Sequence, residues 1–456
     1  MKRTEIYLTP EKVGKKVHLF GWIDSKRDHG KVVFLDLRDR SGFIQMVGGP
    51  ELKGFSDEDV VSILGVVKKR QPKFVNKNIA TGGVEIQIES IDLLSKSKPL
   101  PFSIHGEGRD LSEETRLDYR YLDIRRERMK RILETRHKLL QSFRHSLSSR
   151  GFWEIETPCL GKSTPEGARD FLVPSRYQKG SFYALPQSPQ QYKQLLMVGG
   201  IEKYFQLARC FRDEDLRANR QYEFTQVDIE MSFVTRDEVL DIIEPVVIEV
   251  FEALGKKIYK KPFPRITYKQ AMEKYGDDKF DIRKNPKDES LAFVWVVDFP
   301  LFEKTETRSI GPVHHPFTAP NPEDVPLLDK DPLKARSWQY DLICNGSEVG
   351  GGSIRITDPV VQEKIFSILG HSKKQIREKF GHLLDSFGFG VPPHGGIALG
   401  FDRLVMFATG EENIRETIAF PVTARGRTAV MNAPSKVDSK QLSELGIKLV
   451  APGKKK

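Results

Sequence analysis

The alternation of hydrophobic and polar residues over the first hundred positions predicts a small β-barrel. Hydrophobic and charged residues alternate with a period of two in Val84–Ile91, as in a sheet with one face exposed to water. Five runs are typical of short strands broken by Gly and polar turns: His18–Ile23, Lys31–Arg38, Phe43–Val47, Ile63–Lys69 and Val84–Ile91. Five such strands favour a Greek-key barrel of the oligonucleotide-binding (OB) type.

The run Lys31–Arg38 turns its aliphatic residues to one face and Phe34 to the other. An aromatic side chain on a polar barrel face can stack on an unpaired nucleic-acid base. It can equally well close one end of the barrel, and the sequence leaves both interpretations open. Arg27 and Gln45 lie near this face and carry groups that could read base edges.

Longer periodicities after the first hundred residues predict an α+β domain. The Ser/Lys/Pro-rich stretch Leu94–Phe102 indicates a linker. A helix that ends at Gly151 is predicted by residues at helical spacing: Ile132, Leu139, Leu140, Phe143 and Leu147. A second helix, Asp237–Leu254, lies among strand-like runs at Tyr204–Ala208, Thr225–Met231 and Phe293–Asp298. This order favours a mixed, mainly antiparallel sheet flanked by helices. The predicted domains are a barrel at 1–100, a linker or hinge at 101–125 and a catalytic domain at 126–456.

Composition narrows the class of protein only modestly. A chain of 456 residues is long enough for at least two domains, and a net charge of +10 favours a polyanionic partner. Cys159, Cys210 and Cys344 are far apart, which argues against a disulfide framework or a zinc site. No stretch approaches the roughly twenty apolar residues of a membrane span. Because Met1–Glu5 opens directly into polar sequence, we expect a cytoplasmic protein.

Neither common phosphate-binding loop, GxxxxGK[ST] or GxGxxG after a strand, occurs in the sequence. If the chain uses ATP, arginines and a metal ion must hold the phosphates. Tyr204–Phe233 contains FRDE, then RxxRQ, then EFTQxDxE. In isolation this is typical of a hairpin with a salt-bridged tip, but the order resembles motif two of the class II aminoacyl-tRNA synthetases.

Two further segments support this resemblance. Gly395–Leu404 (GGIALGFDRL) resembles motif three, in which Arg403 would reach the γ-phosphate. Gly151–Pro158 follows a helix as motif one does; in the class this segment forms a dimer interface, although a buried helix and strand would show the same pattern.

Four other segments resemble the bacterial-type aspartyl-tRNA synthetases. They are Thr164–Phe171, Gln187–Gln190 with Lys193, His314–Thr318 and Glu348–Arg355. The resemblance extends from Trp22 to Pro421. It implies an ATP-dependent, AMP-forming ligase that joins L-aspartate to tRNA(Asp), uses Mg²⁺ and acts as a homodimer.

The resemblance also implies residue roles. Arg212 would bind the α-phosphate and the aminoacyl carbonyl, Glu214 the adenine amino group, and Phe224 would stack on adenine. The full set implied for ATP is Arg212, Asp213, Glu214, Gln221, Phe224, Glu348, Gly400, Phe401, Asp402 and Arg403, of which Arg212, Glu348 and Arg403 would be catalytic. The set implied for aspartate is Glu166, Gln190, Lys193, Arg212, His314, His315 and Arg355. The set implied for the anticodon is Arg27, His29, Phe34 and Gln45.

Physical chemistry agrees with several of these roles. A guanidinium keeps its charge and binds phosphate oxygens with two parallel hydrogen bonds. A Lys and an Arg facing one carboxylate should reject asparagine, because buried positive charge would stay unpaired. Glu348 and Asp341 are hard oxygen ligands that could hold Mg²⁺, or they could belong to a surface ion-pair network.

The chain departs from the family at three places. An inserted domain of roughly a hundred residues is missing near 284–289, which puts contacts with the body of the tRNA in doubt. Motif two contains Asn219 and Tyr222 where Asp and Pro are expected. His29 stands where other members carry Leu and resembles the forms that charge both tRNA(Asp) and tRNA(Asn), although it could be an ordinary loop histidine.

Two other functions stay open at this point. An asparaginyl or lysyl relative is disfavoured by Lys193 and Arg355, because a lysine substrate needs acidic pocket residues. A non-catalytic paralogue that binds RNA through the barrel is disfavoured by the presence of Arg212, Glu214 and Arg403.

Overall fold

The computed structural model describes residues 2–164, 167–216, 219–285, 287–305 and 309–450. The chain forms two compact units, Met1–Ser103 and Ile104–Lys456. The second unit therefore begins within the stretch 101–125 that was predicted as a linker.

The first unit is a closed five-stranded barrel with strand order β1-β2-β3-β5-β4, as predicted. Its strands are β1 (Lys16–Asp28), β2 (Val33–Asp39), β3 (Gly42–Gly48), β4 (Val60–Lys69) and β5 (Val84–Ser95). The aliphatic residues of β2 point into the barrel and are fully buried, whereas Phe34 stays partly exposed. Arg38 shares the polar face with Phe34 but is buried, because it pairs with Asp24 and Glu58.

The strands of the second unit are short except around the central hairpins. They are β6 (Trp153–Glu154), β7 (Leu172–Pro174), β8 (Phe182–Ala184), β9 (Lys203–Phe211), β10 (Glu223–Ser232), β11 (Arg265–Thr267), β12 (Phe293–Val297), β13 (Phe302–Lys304), β14 (Ile310–Pro312), β15 (Gln339–Cys344), β16 (Ser347–Ile354) and β17 (His394–Gly400). Eight of them form one sheet in the order β11-β12-β15-β16-β17-β10-β9-β6. Only the two outermost pairs, β11 with β12 and β6 with β9, are parallel. The sheet is therefore mixed and mainly antiparallel, as predicted.

The helices of the second unit are α1 (Glu113–Asp118), α2 (Arg120–Asp123), α3 (Glu127–Ser148), α4 (Gln190–Val198), α5 (Arg236–Glu252), α6 (Tyr268–Tyr275), α7 (Leu327–Lys330), α8 (Pro359–Ile368), α9 (Lys373–Phe387), α10 (Phe401–Thr409), α11 (Ile414–Thr417) and α12 (Ser439–Glu444). The periodic residues predicted for a helix before Gly151 lie on α3. Among the described residues, no helix is long and apolar enough to cross a membrane.

The sheet has one apolar face and one polar face at its centre. Val227 and Ile229 of β10 join the main core with residues of α3, α5 and α10. Because side chains alternate along a strand, Gln226, Asp228 and Glu230 point to the opposite face. That polar face carries the candidate site.

The segment after α6 reaches β12 by a short path. The described part of 276–292 contains no helix or strand, and Phe280 packs there against Val294 and Ile343. This path passes through 284–289, where the sequence predicts that the family insertion is missing.

Candidate active site

Two adjoining cavities lie on the polar face of the sheet, with volumes of about 300 and about 190 Å³. Arg212, Gln226, Glu348 and Ala398 line both cavities. The larger cavity also contains Phe224 and Arg403 and is called the nucleotide end below. The smaller one contains Lys193 and Arg355 and is called the amino-acid end. Four basic residues that are distant in sequence thus converge on one continuous cleft: Lys193, Arg212, Arg355 and Arg403.

The hairpin β9–β10 supplies the first part of the nucleotide end. Arg212 follows β9, and its backbone N–H donates to the carbonyl of Tyr222 at 2.8 Å. Its guanidinium carbon lies 5.1 Å from the centre of the Phe224 ring, within cation–π range. Its Nε makes only a 3.4 Å hydrogen bond to the carbonyl of Gln187. Glu214 pairs with Arg220 at 3.0 Å at the edge of the same cavity.

Arg403 lies in the first turn of α10, across the cavity from the hairpin. Its Nη1 donates to the backbone carbonyl of Glu348 at 2.6 Å. Among the described residues, the guanidinium has no carboxylate partner. The neighbouring Asp402 is buried and accepts a 2.8 Å hydrogen bond from the backbone N–H of Thr225. Asp402 therefore joins the start of α10 to the strand that carries Phe224.

Arg136 on α3 was not identified from the sequence, although it completes this connection. Its Nη1 donates to Oδ1 of Asp402 at 2.6 Å, and its Nη2 lies 3.4 Å from Oγ1 of Thr225. Its guanidinium also lies 4.8 Å from the centre of the Phe401 ring. One arginine of the helix before the predicted motif one thus contacts residues of motifs two and three. No local sequence signal distinguishes it from the other arginines of α3.

Three residues predicted to contact ATP differ in their placement. Gln221 lines the nucleotide end, and its Oε1 accepts from the backbone N–H of Val422 at 2.9 Å. Phe401 does not line the cavity; it is fully buried and packs at 6.5 Å against Phe143. Asp213 turns toward Arg169 instead. The structure therefore gives no role at the nucleotide for the side chains of Phe401 and Asp213.

The amino-acid end is built around four buried charges. Nζ of Lys193 donates to Oδ1 of Asp228 at 2.7 Å and lies 3.2 Å from Oε2 of Glu230. Arg355 donates to Glu230 through Nε and Nη2, both at 2.9 Å. All four residues are at least 97% buried. Asp228 and Glu230 were not identified from the sequence as site residues, although both belong to the quoted motif EFTQxDxE.

This pairing modifies the electrostatic argument for rejecting asparagine. In the empty site the two cations are paired with two carboxylates, so their charge is not bare before a substrate binds. Hydrogen-bond direction is a second basis for selectivity, since Lys193 and Arg355 carry only N–H donors. A carboxylate can accept at both oxygens, whereas a carboxamide presents an NH₂ group that these donors cannot satisfy.

The carboxylates of the amino-acid end differ in their pKa. Burial would raise the pKa of Glu230, but the charges of Arg355 and Lys193 lower it to about 2. Burial raises the pKa of Asp228 despite the contact with Lys193. Oδ2 of Asp228 is buried and has no hydrogen-bond partner among the described residues.

Two histidines lie beside these charges. Burial, followed by the charges of Arg355, Lys193 and Arg212, lowers the pKa of His314 to about 3. Burial and the neighbouring charges also lower the pKa of His315 well below its usual value, and Nε2 of its ring accepts from Arg355 at 2.8 Å. Both rings are therefore neutral at pH 7.

The remaining residues predicted for aspartate are placed as follows. Gln190, the first residue of α4, is buried, lines the amino-acid end and donates to Gln194 at 3.1 Å. Glu166 lies outside the described residues. Its role at the substrate ammonium stays a prediction.

A β-bulge brings Asp341 and Glu348 to one face of the sheet. Strands β15 and β16 pair Asp341 with Gly351 but Ile343 with Glu348, because β16 has one extra residue between them. A Cβ atom on Gly351 would lie 3.1 Å from Oδ1 of Asp341 and 3.7 Å from Oε1 of Glu348. Both carboxylates therefore lie within 4 Å of one point. Burial, reinforced by the charge of Glu348, raises the pKa of Asp341 well above its usual range.

The three glycines 350–352 belong to strand β16. Gly352 faces a neighbouring strand so closely that a Cβ atom would lie 2.2 Å from the carbonyl oxygen of Gly396. At Gly351 a Cβ atom would also lie 3.1 Å from His314. These positions thus require glycine for close approach within the sheet and beside the carboxylates.

The residues predicted to read the anticodon form a separate cluster on the barrel. Arg27 pairs with Asp36 at 2.7 Å, and Nη2 of Arg27 reaches Oε1 of Gln45 at 3.3 Å. The rings of His29 and Phe34 meet edge to face at 5.7 Å.

Arg70 and Glu85 extend this cluster and were not identified from the sequence. Arg70 donates to Oε1 of Gln45, whose amide nitrogen donates to Glu85 at 2.9 Å. The side-chain amide of Gln45 is thus oriented by Glu85 of the neighbouring strand β5 and by Arg70, which follows β4. Such fixed orientation is what a base-reading group requires.

The fold and the cleft agree with the matches to known families. Residues 112–424 match the family described as tRNA synthetases class II (D, K and N). Residues 17–94 match the OB-fold nucleic acid binding domain. The catalytic sheet, the cleft and the barrel together define a class II tRNA synthetase.

Curated relatives narrow this class. The chain is 40% identical to "Aspartate--tRNA ligase" of Geobacillus kaustophilus, with 96% of this chain and 97% of the relative covered. It is 42% identical to "Aspartate--tRNA(Asp/Asn) ligase" of Chlamydia caviae, with 97% and 98% covered. The chain belongs to the family of bacterial aspartate–tRNA ligases. The first alignment runs over 574 positions, more than the 456 residues of the chain, so the relative contains stretches without a counterpart here.

Solved structures agree on the fold. An aspartyl-tRNA synthetase from Entamoeba histolytica superposes with a TM-score of 0.73 at 25% identity, covering 92% of this chain and 91% of that one. An asparaginyl-tRNA synthetase from Pyrococcus horikoshii, complexed with asparaginyl-adenylate, gives 0.74 at 23% identity, covering 92% and 98%.

Proposed function

We propose that the chain activates L-aspartate with ATP and transfers the aspartyl group to the 3′ end of tRNA(Asp). The observation that carries this proposal is the convergence of Lys193, Arg212, Arg355 and Arg403 on one continuous cleft. The amino-acid end is of a size and charge to hold a small dicarboxylate. The nucleotide end joins an aromatic platform to two arginines without carboxylate partners among the described residues.

In the first step an oxygen of the α-carboxylate attacks the α-phosphorus, and the bond to the pyrophosphate oxygen breaks. Arg212 lines both cavities and can therefore reach the α-phosphate and the attacking carboxylate together. Arg403 would hold the γ-phosphate on the leaving side. Catalysis then comes from positioning the reactants and stabilising negative charge, with no protein nucleophile.

Asp341 and Glu348 fit a magnesium ion. The described residues contain no group of three or more His, Cys, Asp or Glu side chains that could hold a metal, so further ligands would be phosphate oxygens and water. Mg²⁺ bound there would neutralise part of the phosphate charge. The protein's own contribution is the bulge that brings the buried Asp341 to the same face as Glu348, which lines the cleft.

The substrate ammonium needs an acceptor near Lys193 and Arg355. The carboxylate of Asp228 is the nearest acidic group of this cavity, and Gln190 lines the same cavity. With the ammonium at Asp228, the two cations are left to face the side-chain carboxylate. Aspartate would then satisfy every donor and acceptor of this end.

In the second step the terminal ribose hydroxyl of the tRNA attacks the activated carbonyl, and AMP leaves. The barrel would hold the anticodon, with Phe34 stacking on a base and Gln45 reading a base edge. The homodimeric state, the cytoplasmic location and the absence of an insertion near 284–289 stay predictions.

Exchange of labelled pyrophosphate into ATP tests the first step. The wild-type protein should support exchange with aspartate and far less with asparagine, and Arg212→Ala should abolish it while the thermal unfolding temperature is kept. Near-normal exchange in Arg212→Ala would contradict the assignment. If the protein supports exchange but does not charge tRNA(Asp), the activation step is supported and the transfer step is contradicted.

A second candidate function is the charging of tRNA(Asn) with aspartate as well. It is supported by His29, whose ring contacts Phe34 on the barrel face. Charging of purified tRNA(Asn) by the wild-type protein, compared with His29→Leu, tests it. If the wild-type protein leaves tRNA(Asn) uncharged, this candidate is excluded.

A further inference from the structure

Lys279 is the nearest cation to the carboxylate pair Asp341 and Glu348 among the described residues, and the function proposed above gives it no role. Its Nζ lies 3.4 Å from Oε2 of Glu348. Its side chain is 45% exposed and that of Glu348 34% exposed, so both can change partners. The ammonium of Lys279 therefore lies where its positive charge can partly neutralise the two carboxylates.

The loop that carries Lys279 is held firmly at the edge of the cleft. Gly276 ends α6 with a φ of +72°, and the rings of Tyr275 and Phe280 stack at 4.0 Å on either side of the turn. Phe280 is buried next to Ile343, the residue that pairs with Glu348 across the sheet. Packing of Phe280 thus directs Lys279 toward Glu348.

The contact of Lys279 differs from an ordinary surface ion pair in its surroundings. In the pair of Lys269 with Glu273 on α6, both side chains are mostly exposed. Glu348, in contrast, shares one face with the buried Asp341 and lines both cavities. A cation at this place therefore acts on a carboxylate that faces the cleft and has a second carboxylate beside it, which an exposed pair does not.

We propose that Lys279 is the resident counter-cation of the Asp341–Glu348 pair and competes with the divalent metal ion for Glu348. In the nucleotide-free protein the lysine neutralises the pair and weakens metal binding. When ATP adds its phosphate oxygens as ligands, the metal ion displaces the ammonium. Lys279 thereby makes metal binding depend on ATP. The inference rests on the proposed metal site.

Binding of Mn²⁺ to the nucleotide-free protein tests the competition, because free Mn²⁺ is measured directly by electron paramagnetic resonance. Lys279→Met removes the charge and keeps the length, and it should bind Mn²⁺ about tenfold more tightly than wild type, equal to about 1.4 kcal/mol. Lys279→Arg and the surface control Lys269→Met should bind like wild type. Thermal unfolding of all variants should match wild type.

Unchanged or weaker Mn²⁺ binding in Lys279→Met would overturn the inference, as would binding too weak to measure. The double variant Lys279→Met, Glu348→Gln distinguishes an error in the proposed role of Lys279 from an error in the proposed metal site. Loss of the tighter binding in the double variant supports both assignments. If Glu348→Gln leaves Mn²⁺ binding unchanged in every background, the metal site itself is wrong.

Discussion

The two ends of the cleft hold their charges in opposite ways. At the amino-acid end, Lys193 and Arg355 are buried and tied by short hydrogen bonds to Asp228 and Glu230. At the nucleotide end, Arg212 and Arg403 are only partly buried and bond to backbone carbonyls. One end is therefore a buried, ion-paired network, whereas the two arginines of the other end have no carboxylate partner among the described residues.

This difference matches the demands of the two substrates. A small amino acid must be distinguished from a near-isostere, which requires donors and acceptors that cannot move to suit the wrong group. A triphosphate brings several negative charges and then leaves as pyrophosphate. Arginines that bond weakly to carbonyls can bind these charges without first breaking a buried ion pair.

The strongest test of this comparison removes a charge from the ion-paired network of the amino-acid end. In Lys193→Met, Asp228 and Glu230 lose a buried partner, and we expect the free energy of unfolding to fall by about 3–5 kcal/mol. Aspartate-dependent pyrophosphate exchange should be lost as well. Urea unfolding and the exchange assay measure the two effects. A free energy of unfolding within about 1 kcal/mol of wild type would show that the ion pairs of Lys193 do not stabilise the fold.

The same change at the nucleotide end should separate stability from activity. We expect Arg403→Met to lower exchange by about a hundredfold to a thousandfold, the range for losing one electrostatic contact to a transition state. Its free energy of unfolding should stay near the wild-type value, because no buried carboxylate loses a partner. A loss of stability as large as that of Lys193→Met would remove the distinction between the two ends.

Arg136 tests how the nucleotide end is held in place. Arg136→Met should raise KM for ATP about tenfold and leave KM for aspartate unchanged, because Asp402 and Thr225 support only the nucleotide side. Arg136→Lys keeps the charge and should recover part of the loss. Equal changes in both KM values would indicate a general loss of structure instead.

The parts of the fold and of the site that could be predicted from the sequence are those that depend on residues close together along the chain. The barrel strands follow from alternation along short runs, and the β9–β10 hairpin from contiguous motifs, so both predictions were confirmed. Arg136 contacts Asp402 across 266 positions. Such a contact leaves no local pattern, and it was missed.

The charge balance of the amino-acid end was misjudged for a related reason. Asp228 and Glu230 alternate with Val227 and Ile229 along one strand, so the sequence did indicate that they share a face. It did not indicate that Lys193 of α4 and Arg355, which follows β16, reach that same face. Likewise, the spacing of Asp341 and Glu348 gave no sign of the bulge that aligns them.

The smallest predicted effect concerns His314, which lines the amino-acid end of the cleft. Its pKa is about 3 in the folded protein and about 6.5 in the unfolded chain, so between these values only the unfolded chain takes up the proton. The free energy of unfolding should therefore fall as the pH drops from 6.5 toward 3, by at most about 1.4 kcal/mol per pH unit from this group. His314→Gln cannot take up the proton and should flatten this slope, measured by urea unfolding between pH 5 and 7.5. His137→Gln, an exposed histidine on α3, should keep the wild-type slope. If His314→Gln keeps it too, burial and the neighbouring cations do not lower the pKa of His314 in the folded protein.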